Sequence, residues 1–232
     1  MVVDVIIPAL NEADSIGHVL DGLSRLVDQR FRQVVVVDNG STDDTASRAK
    51  AAGAKVVFEG RRGYGQACLT GLAALEQDPP DIVLFVDGDG ADDPRDIPAV
   101  LAPIHGGRAE FVVGSRTTGP TEPGALTFVQ HFGNVLSCRL VHFFFGVQFT
   151  DLGPLRAIQW SSLQSLQMAD TNFGWTVEMQ VKAARRGVAC AEVPVRCRRR
   201  YAGQSKVSGT LKGSIKAGTK ILYTIAREAI HR

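Results

Sequence analysis

The strongest constraint on this chain is a rhythm: short β-branched apolar runs alternate with amphipathic helical stretches, and most runs stop at a polar or acidic turn. Residues 2–8 form the first run, and residues 12–26 then place Ile16, Val19, Leu20, Leu23 and Leu26 on one helical stripe. A continuous run at 34–37 ends in DNGSTDDT, where Ser41 or Thr42 is expected to cap the next helix, with Asp43 and Asp44 at its positive end. Residues 55–58 read as a third strand, 63–75 as a helix entered through a glycine-rich turn, 82–86 as a fourth strand and 111–114 as a fifth. Such alternation predicts a mostly parallel sheet with helices on both faces. Ligands of that architecture bind at the carboxyl ends of the strands. Residues 8–11, 38–41, 87–89 and 114–116 all fall at such ends and all are polar clusters.

The second half is less regular. Residues 126–145 read as a helix rich in Phe with Arg139 and His142 interspersed, 175–186 as a helix, 188–195 as a strand, and 213–230 as a basic amphipathic helix. With 232 residues, and no repeat or evident linker, the expected organisation is one domain over 1–210 and a basic amphipathic helix over 211–232. A net charge of +2 supplies no global field, so no nucleic-acid partner is expected. The charge is unevenly spread: acidic residues gather at 87–96, and basic ones run from Arg196 to Lys220. Cys68, Cys138, Cys190 and Cys197 lack zinc spacing and read as free thiols in a reducing compartment. The first strand opens without a basic leader, so no signal peptide is expected. The apolar stretch 135–149 is broken by Arg139 and His142 and falls short of the roughly 20 residues of a spanning helix.

The segment LFVDGDGADDP is the sharpest chemical feature. Two carboxylates one residue apart, at the end of a buried strand, can hold a hard cation such as Mg2+ or Mn2+ against a diphosphate. In VVVVDNGSTDDT, Asp38 reads either as a base or ribose ligand or as part of an ordinary strand, turn and helix. RRGYGQA reads equally as a phosphate-cradling loop or as close helix packing at Gly63 and Gly65.

Taken in order, PALNE, VVDNGSTDDT, RRGYGQA, DGDG, GSR and RYAGQSK resemble the family 2 glycosyltransferases of GT-A fold. Within them the chain is most similar to the dolichol- or polyprenol-phosphate sugar synthases, from residue 3 to about 206. The resemblance implies an α/β, Rossmann-like GT-A domain with a mostly parallel central sheet flanked by helices. It implies that Pro8, Ala9, Asn11, Glu12 and Asp38 line the nucleoside pocket, and that Asp87 and Asp89 handle metal and diphosphate. Arg116, Arg200 and Lys206 would meet the phosphates of donor or acceptor, with Asp89 and these three as the catalytic set. Asp151, in TDLGPLR, and Glu178, in GWTVEMQ, match acidic positions lining the sugar pocket. Two positions depart from the pattern. Ala91 stands where the family often has a metal-binding Gln, a place that Asp92 or water would take. The helix before Asp151 lacks the usual arginine and offers His131 and Arg139.

The implied reaction is inverting transfer from a nucleotide-diphosphate sugar, of GDP-mannose or UDP-glucose type, to a polyprenyl or dolichyl phosphate. A phosphate acceptor is already anionic and needs positioning by guanidinium forks rather than a strong base. The enzyme is then expected at the cytoplasmic face of a membrane, with Phe143, Phe144 and Phe145 inserting shallowly beside the basic tail. Transfer to a soluble or non-phosphate lipid acceptor, a nucleotide-sugar-binding regulatory subunit, and a nucleotidyltransferase stay open as alternatives. No QxxRW-type motif points to processive polymer synthesis.

Overall fold

A computed structural model describes residues 1–26, 31–203 and 211–230. One seven-stranded sheet carries the chain. Its strands are β1 Val3–Ala9, β2 Gln33–Asp38, β3 Lys55–Phe58, β4 Ile82–Phe85, β5 Phe111–Ser115, β6 Arg156–Gln159 and β7 Cys190–Pro194. Their spatial order is β3-β2-β1-β4-β6-β5-β7. All neighbours pair in parallel except β6, which runs antiparallel to both β4 and β5. The helices among the described residues are α1 Ala13–Ser24, α2 Thr45–Ala51, α3 Tyr64–Ala73, α4 Ile97–His105, α5 Phe128–Phe145, α6 Trp160–Leu166, α7 Trp175–Arg185 and α8 Leu211–Ile230.

The strands are apolar throughout because both faces of the sheet are covered. Alternate residues feed two cores: Ile6, Val35, Val37, Val83 and Phe85 meet α3, α5, α6, α7 and α8 on one side. Val5, Ile7, Val36, Ile82 and Leu84 meet α1, α2 and α4 on the other. All four cysteines are free thiols.

The structure adds elements that the sequence reading leaves unassigned: α4, β6 and α6. The reading also places the cap of α2 at Ser41 or Thr42, whereas the helix starts at Thr45, whose N–H donates to Asp43 Oδ1 at 3.0 Å. Helix α8 packs against α5 and α7 with Ile225 buried, and it is pinned by Arg185–Glu228 at 2.8 Å and Lys220–Asp170 at 2.9 Å.

β6 consists of four residues, yet it decides where the chemistry gathers. Because it is inverted, β5 remains parallel to β4. The carboxyl ends of β1, β2, β4, β5 and β7 therefore lie on one rim, and the chain entering β6 arrives at that rim as well.

The RRGYG turn is a packing device. A Cβ at Gly65 would overlap the carbonyl oxygen of Asp170, and the Gln66 N–H donates to Thr171 O at 2.9 Å. The glycine lets the start of α3 touch the 170–172 backbone. Gly65→Ala is expected to cost about 1–3 kcal/mol of stability, since backbone cannot retreat as a flexible side chain can. Urea denaturation measures this, and an unchanged unfolding midpoint would contradict it.

Candidate active site

The DGDG turn leaves the end of β4 and places several carboxylates together at the rim. Tyr64, at the start of α3, donates its hydroxyl to Asp87 Oδ1 at 3.1 Å. The Asp87 N–H donates to Asp92 Oδ2 at 3.1 Å, and the Ala91 N–H donates to Asp89 Oδ1 at 2.9 Å. Burial, reinforced by the charges of Asp89 and Asp92, holds the Asp87 carboxyl well above its ordinary range. Burial and the Asp89 charge likewise push Asp92 up to about 7. Buried so close together, these carboxyls are costly to ionise all at once.

Two arginines bring positive charge to the same rim. Arg116, just past β5, makes a fork with Asp151: Nε to Oδ2 and Nη2 to Oδ1, both at 2.8 Å. Burial would lower this guanidinium, but the paired Asp151 carboxylate outweighs it, so Arg116 keeps its charge. Arg200 reaches in from the segment after β7. Its Nη1 lies 2.7 Å from Asp89 Oδ2 and its Nη2 lies 2.6 Å from Glu12 Oε1.

The loop carrying Asp151 is held from behind by two residues. Glu192 on β7 accepts the N–H of Thr150 at 2.9 Å and of Asp151 at 3.2 Å. Arg156, at the start of β6, is 1% exposed and donates to the carbonyls of Leu152 at 3.1 Å and Thr176 at 2.9 Å, and also to Gly153. Its ring-side neighbour is Phe111, 5.8 Å away. Burial brings this guanidinium down to about 10.

These groups border a cavity of about 850 Å³. Asp87, Asp89, Asp92, Arg116, Asp151 and Arg200 line its polar side; Leu126, Val129 and His131 from α5 and its approach line the other. Arg139 faces a separate cavity, beside Phe143 and Phe149.

The remaining sequence candidates are placed as follows. Pro8 and Ala9 close β1, Asn11 and Glu12 follow it, and Asp38 closes β2, so they continue the same rim outward. Asn11 adopts a left-handed φ of 52° and knits the two turns together. Its N–H donates to Ser41 Oγ at 2.9 Å and its Oδ1 accepts the Thr42 N–H at 2.8 Å. Asp38 Oδ1 accepts the Ser41 N–H at 2.9 Å. Lys206 lies outside the described residues. The expectation for Glu178 needs correction. It is fully buried, accepts the Asp170 N–H and the Lys182 ammonium, each at 2.8 Å, and therefore braces α7 instead of lining a sugar pocket.

Tyr64, Glu192 and Arg156 are additions from the structure. Tyr64 and Arg156 lie inside the RRGYGQA and TDLGPLR motifs, but their partners are distant in sequence. Glu192 gives no sequence signal beyond a charge inside an apolar strand.

Two carboxylates on one turn, with substrate phosphates completing the shell, is a common arrangement for Mg2+ or Mn2+. Among the described residues no three His, Cys, Asp or Glu side chains form a complete cage. The donor set of Asp87 and Asp89 fits a hard cation, because a cation favours the ionised carboxylate that burial and the neighbouring acidic groups disfavour.

Residues 4–166 match the family model described as Glycosyl transferase family 2, and the chain belongs to that family. It is accordingly a glycosyltransferase with a GT-A fold. An uncharacterized glycosyltransferase of Mycobacterium tuberculosis is 36% identical over 215 residues, covering 93% of this chain and 94% of that protein. A dolichyl-phosphate hexose transferase of Haloferax volcanii is 31% identical over 227 residues, covering 97% and 95%. Among solved structures, glucosyl-3-phosphoglycerate synthase from M. tuberculosis, in complex with Mn2+, UDP-glucose and phosphoglyceric acid, superposes with a TM-score of 0.81 at 26% identity. That match covers 98% of this chain and 79% of the synthase.

Arg156 is the interior charge on which the site loop rests. Arg156→Met would leave the Leu152, Gly153 and Thr176 carbonyls without their donor, at about 3 kcal/mol or more. Equilibrium unfolding checks this; a variant within about 1 kcal/mol of the parent would contradict the assignment.

Proposed function

We propose that this glycosyltransferase moves a hexose from a nucleoside-diphosphate sugar to a lipid-borne phosphate of polyprenyl or dolichyl type, with inversion at the anomeric carbon. The observation that carries this reading is the two-sided cavity. One wall bears Asp87, Asp89, Arg116 and Arg200; the other is α5, which lines the cavity with Val129, Gln130, His131 and Asn134 and leaves Phe128, Phe132 and Leu136 exposed on its outer face beside it. A charged head and an isoprenoid tail need such a pair of surfaces side by side. The similarity to a dolichyl-phosphate hexose transferase supports the acceptor class, and the neighbour holding UDP-glucose and Mn2+ supports a UDP-glucose-type donor and a divalent metal. GDP-mannose is the other donor retained.

In this reading Pro8, Ala9, Asn11, Glu12 and Asp38 hold the nucleoside end, and Asp87 and Asp89 would hold Mg2+ or Mn2+. The bound cation supplies neutralisation of the charge that develops on the departing diphosphate. Arg116, anchored by Asp151, presents a fixed positive charge to a phosphate; Arg200 and Lys206 complete the anionic site. A phosphate oxygen attacks without a general base, which agrees with Asp151 being tied to Arg116.

The membrane side of the proposal rests on α5. Among the described residues no helix is long and apolar enough to cross a membrane. Of the three phenylalanines expected to insert, only Phe143 is exposed, at 79%; Phe144 packs against the core and Phe145 lies within it, because helical periodicity turns them inward. Phe128 and Phe132, 81% and 61% exposed, are the better anchors. The reading takes residues 1–210 as the transferase domain and the helix beyond as its companion at the cytoplasmic membrane face.

A second reading has one specific support, the structural similarity to a synthase solved with phosphoglyceric acid: the acceptor would then be a soluble phosphorylated acid. The purified protein, given Mn2+ or Mg2+, UDP-glucose or GDP-mannose, and either a short polyprenyl phosphate or 3-phosphoglycerate, separates the two. Nucleoside diphosphate release that requires both metal and lipid phosphate is expected. Release with phosphoglycerate and none with the lipid would replace the first reading with the second. In the productive assay Asp89→Ala should reduce turnover roughly 100-fold or more; retained turnover would remove Asp89 from the catalytic set.

The α5 surface has its own test. Phe128→Ser combined with Phe132→Ser should abolish most co-sedimentation with vesicles of mixed phosphatidylcholine and phosphatidylglycerol, while turnover of a short-chain acceptor in detergent persists. Undiminished sedimentation would place the membrane contact elsewhere.

A further inference from the structure

After β7 the chain crosses the DGDG turn as a strap, residues 196–203. The Arg198 N–H donates to Ala91 O at 3.1 Å and the Tyr201 N–H donates to Asp89 O at 2.9 Å. The Cys197 backbone pairs with that of Asp92 in an isolated antiparallel β-bridge, and the Tyr201 ring stacks on His18 with centroids 4.1 Å apart and planes 10° from parallel. Gly90, at φ +76°, lets the strap close down, since a Cβ there would sit 2.8 Å from Tyr201 Cβ. Everything about this segment fixes Arg200 over the metal turn.

Arg200 then does something unusual for a residue expected to hold phosphate: it bridges two protein carboxylates, Asp89 at 2.7 Å and Glu12 at 2.6 Å. Its Nε is buried and meets no hydrogen-bond acceptor among the described residues, so the guanidinium is held by charge more than by a full set of bonds. The Asp89 oxygen that receives Arg200 belongs to the carboxylate assigned to the cation. A guanidinium and a divalent cation at one carboxylate repel strongly.

We infer that Arg200 is an internal counter-ion that holds off the divalent cation until a diphosphate arrives. The diphosphate offers Arg200 a second anion of higher charge. The guanidinium exchanges Asp89 for a phosphate oxygen, and Asp89 becomes available to the cation. No covalent bond changes; one ion pair is traded for two. Metal and nucleotide therefore enter as a coupled pair, and Arg200 sets the strength of the coupling. The inference rests on the donor half of the proposed function and is independent of the acceptor.

The test measures Mn2+ binding, by electron paramagnetic resonance of free Mn2+, with and without saturating UDP and with no acceptor present. In Arg200→Gln, Mn2+ alone should bind roughly tenfold tighter than in the parent, and the enhancement by UDP should shrink by a similar factor. Arg200→Lys, which keeps the charge, should stay near the parent. Tyr201→Ala, an exposed position that loosens the strap without removing Arg200, should shift Mn2+ affinity the same way by less. Unchanged or weaker Mn2+ binding in Arg200→Gln, with Tyr201→Ala also unchanged, would overturn the inference. Asp89→Asn separates the two levels of the argument. If it abolishes Mn2+ binding while the Arg200 and Tyr201 variants do nothing, the counter-ion role fails alone. If it too leaves Mn2+ binding intact, the metal assignment fails with it.

Discussion

Like charges repel at close range, and Glu12, Asp87, Asp89, Asp92 and Asp151 are drawn to one edge of one sheet. Burial first, and the neighbouring carboxylates second, raise Asp87 and Asp92, and Arg116 and Arg200 bring positive charge to the same rim in different ways. Arg116 is fixed to Asp151 by a two-bond fork and keeps one place. Arg200 spans two carboxylates in the turns that follow different strands, β1 and β4, and so ties the two turns together across the rim. In the proposed function, that cluster of carboxylates with Arg200 across it is where a metal-bound diphosphate would sit.

The scaffold earns this arrangement through connectivity. A parallel sheet sends successive strand ends to the same rim, and the antiparallel β6 brings the 150–155 loop there from the opposite direction. Behind that loop, Arg156 gathers carbonyls and Glu192 gathers N–H groups, so the backbone around Asp151 is satisfied from both sides. Tyr64 of α3 holds Asp87, and α5 closes the cavity with Val129, Gln130, His131 and Asn134. The position of each acidic group thus depends on contacts made far from it in sequence.

That dependence explains what was legible beforehand. Runs of β-branched residues and polar strand ends foretold the alternating α/β order, the rim and the DGDG turn, because those signals are local. β6 was not legible: RAIQ is short, carries a buried arginine and follows a turn-rich segment, so no periodicity marks it. Helix α4 was obscured by the prolines at positions 98 and 103. The Phe143–Phe145 run showed composition but not facing, which depends on where α5 lies against the core. Glu178 looked like a pocket carboxylate because a motif shows residue type and spacing, whereas its partners at Asp170 and Lys182 appear only in three dimensions. The glycines of RRGYG were open between two uses until the 170–172 backbone was seen against them.

The central claim is that the acidic rim around Asp89 is a metal–diphosphate site from which Arg200 yields. A crystal structure with Mn2+ and UDP, with the metal located by its anomalous scattering, addresses it most directly. The account predicts an Mn2+ peak about 2.0–2.3 Å from an Asp89 oxygen and from the diphosphate, with the Arg200 guanidinium moved off Asp89 and onto phosphate. A peak away from the DGDG turn, or Arg200 still paired with Asp89 beside a bound metal, would contradict it.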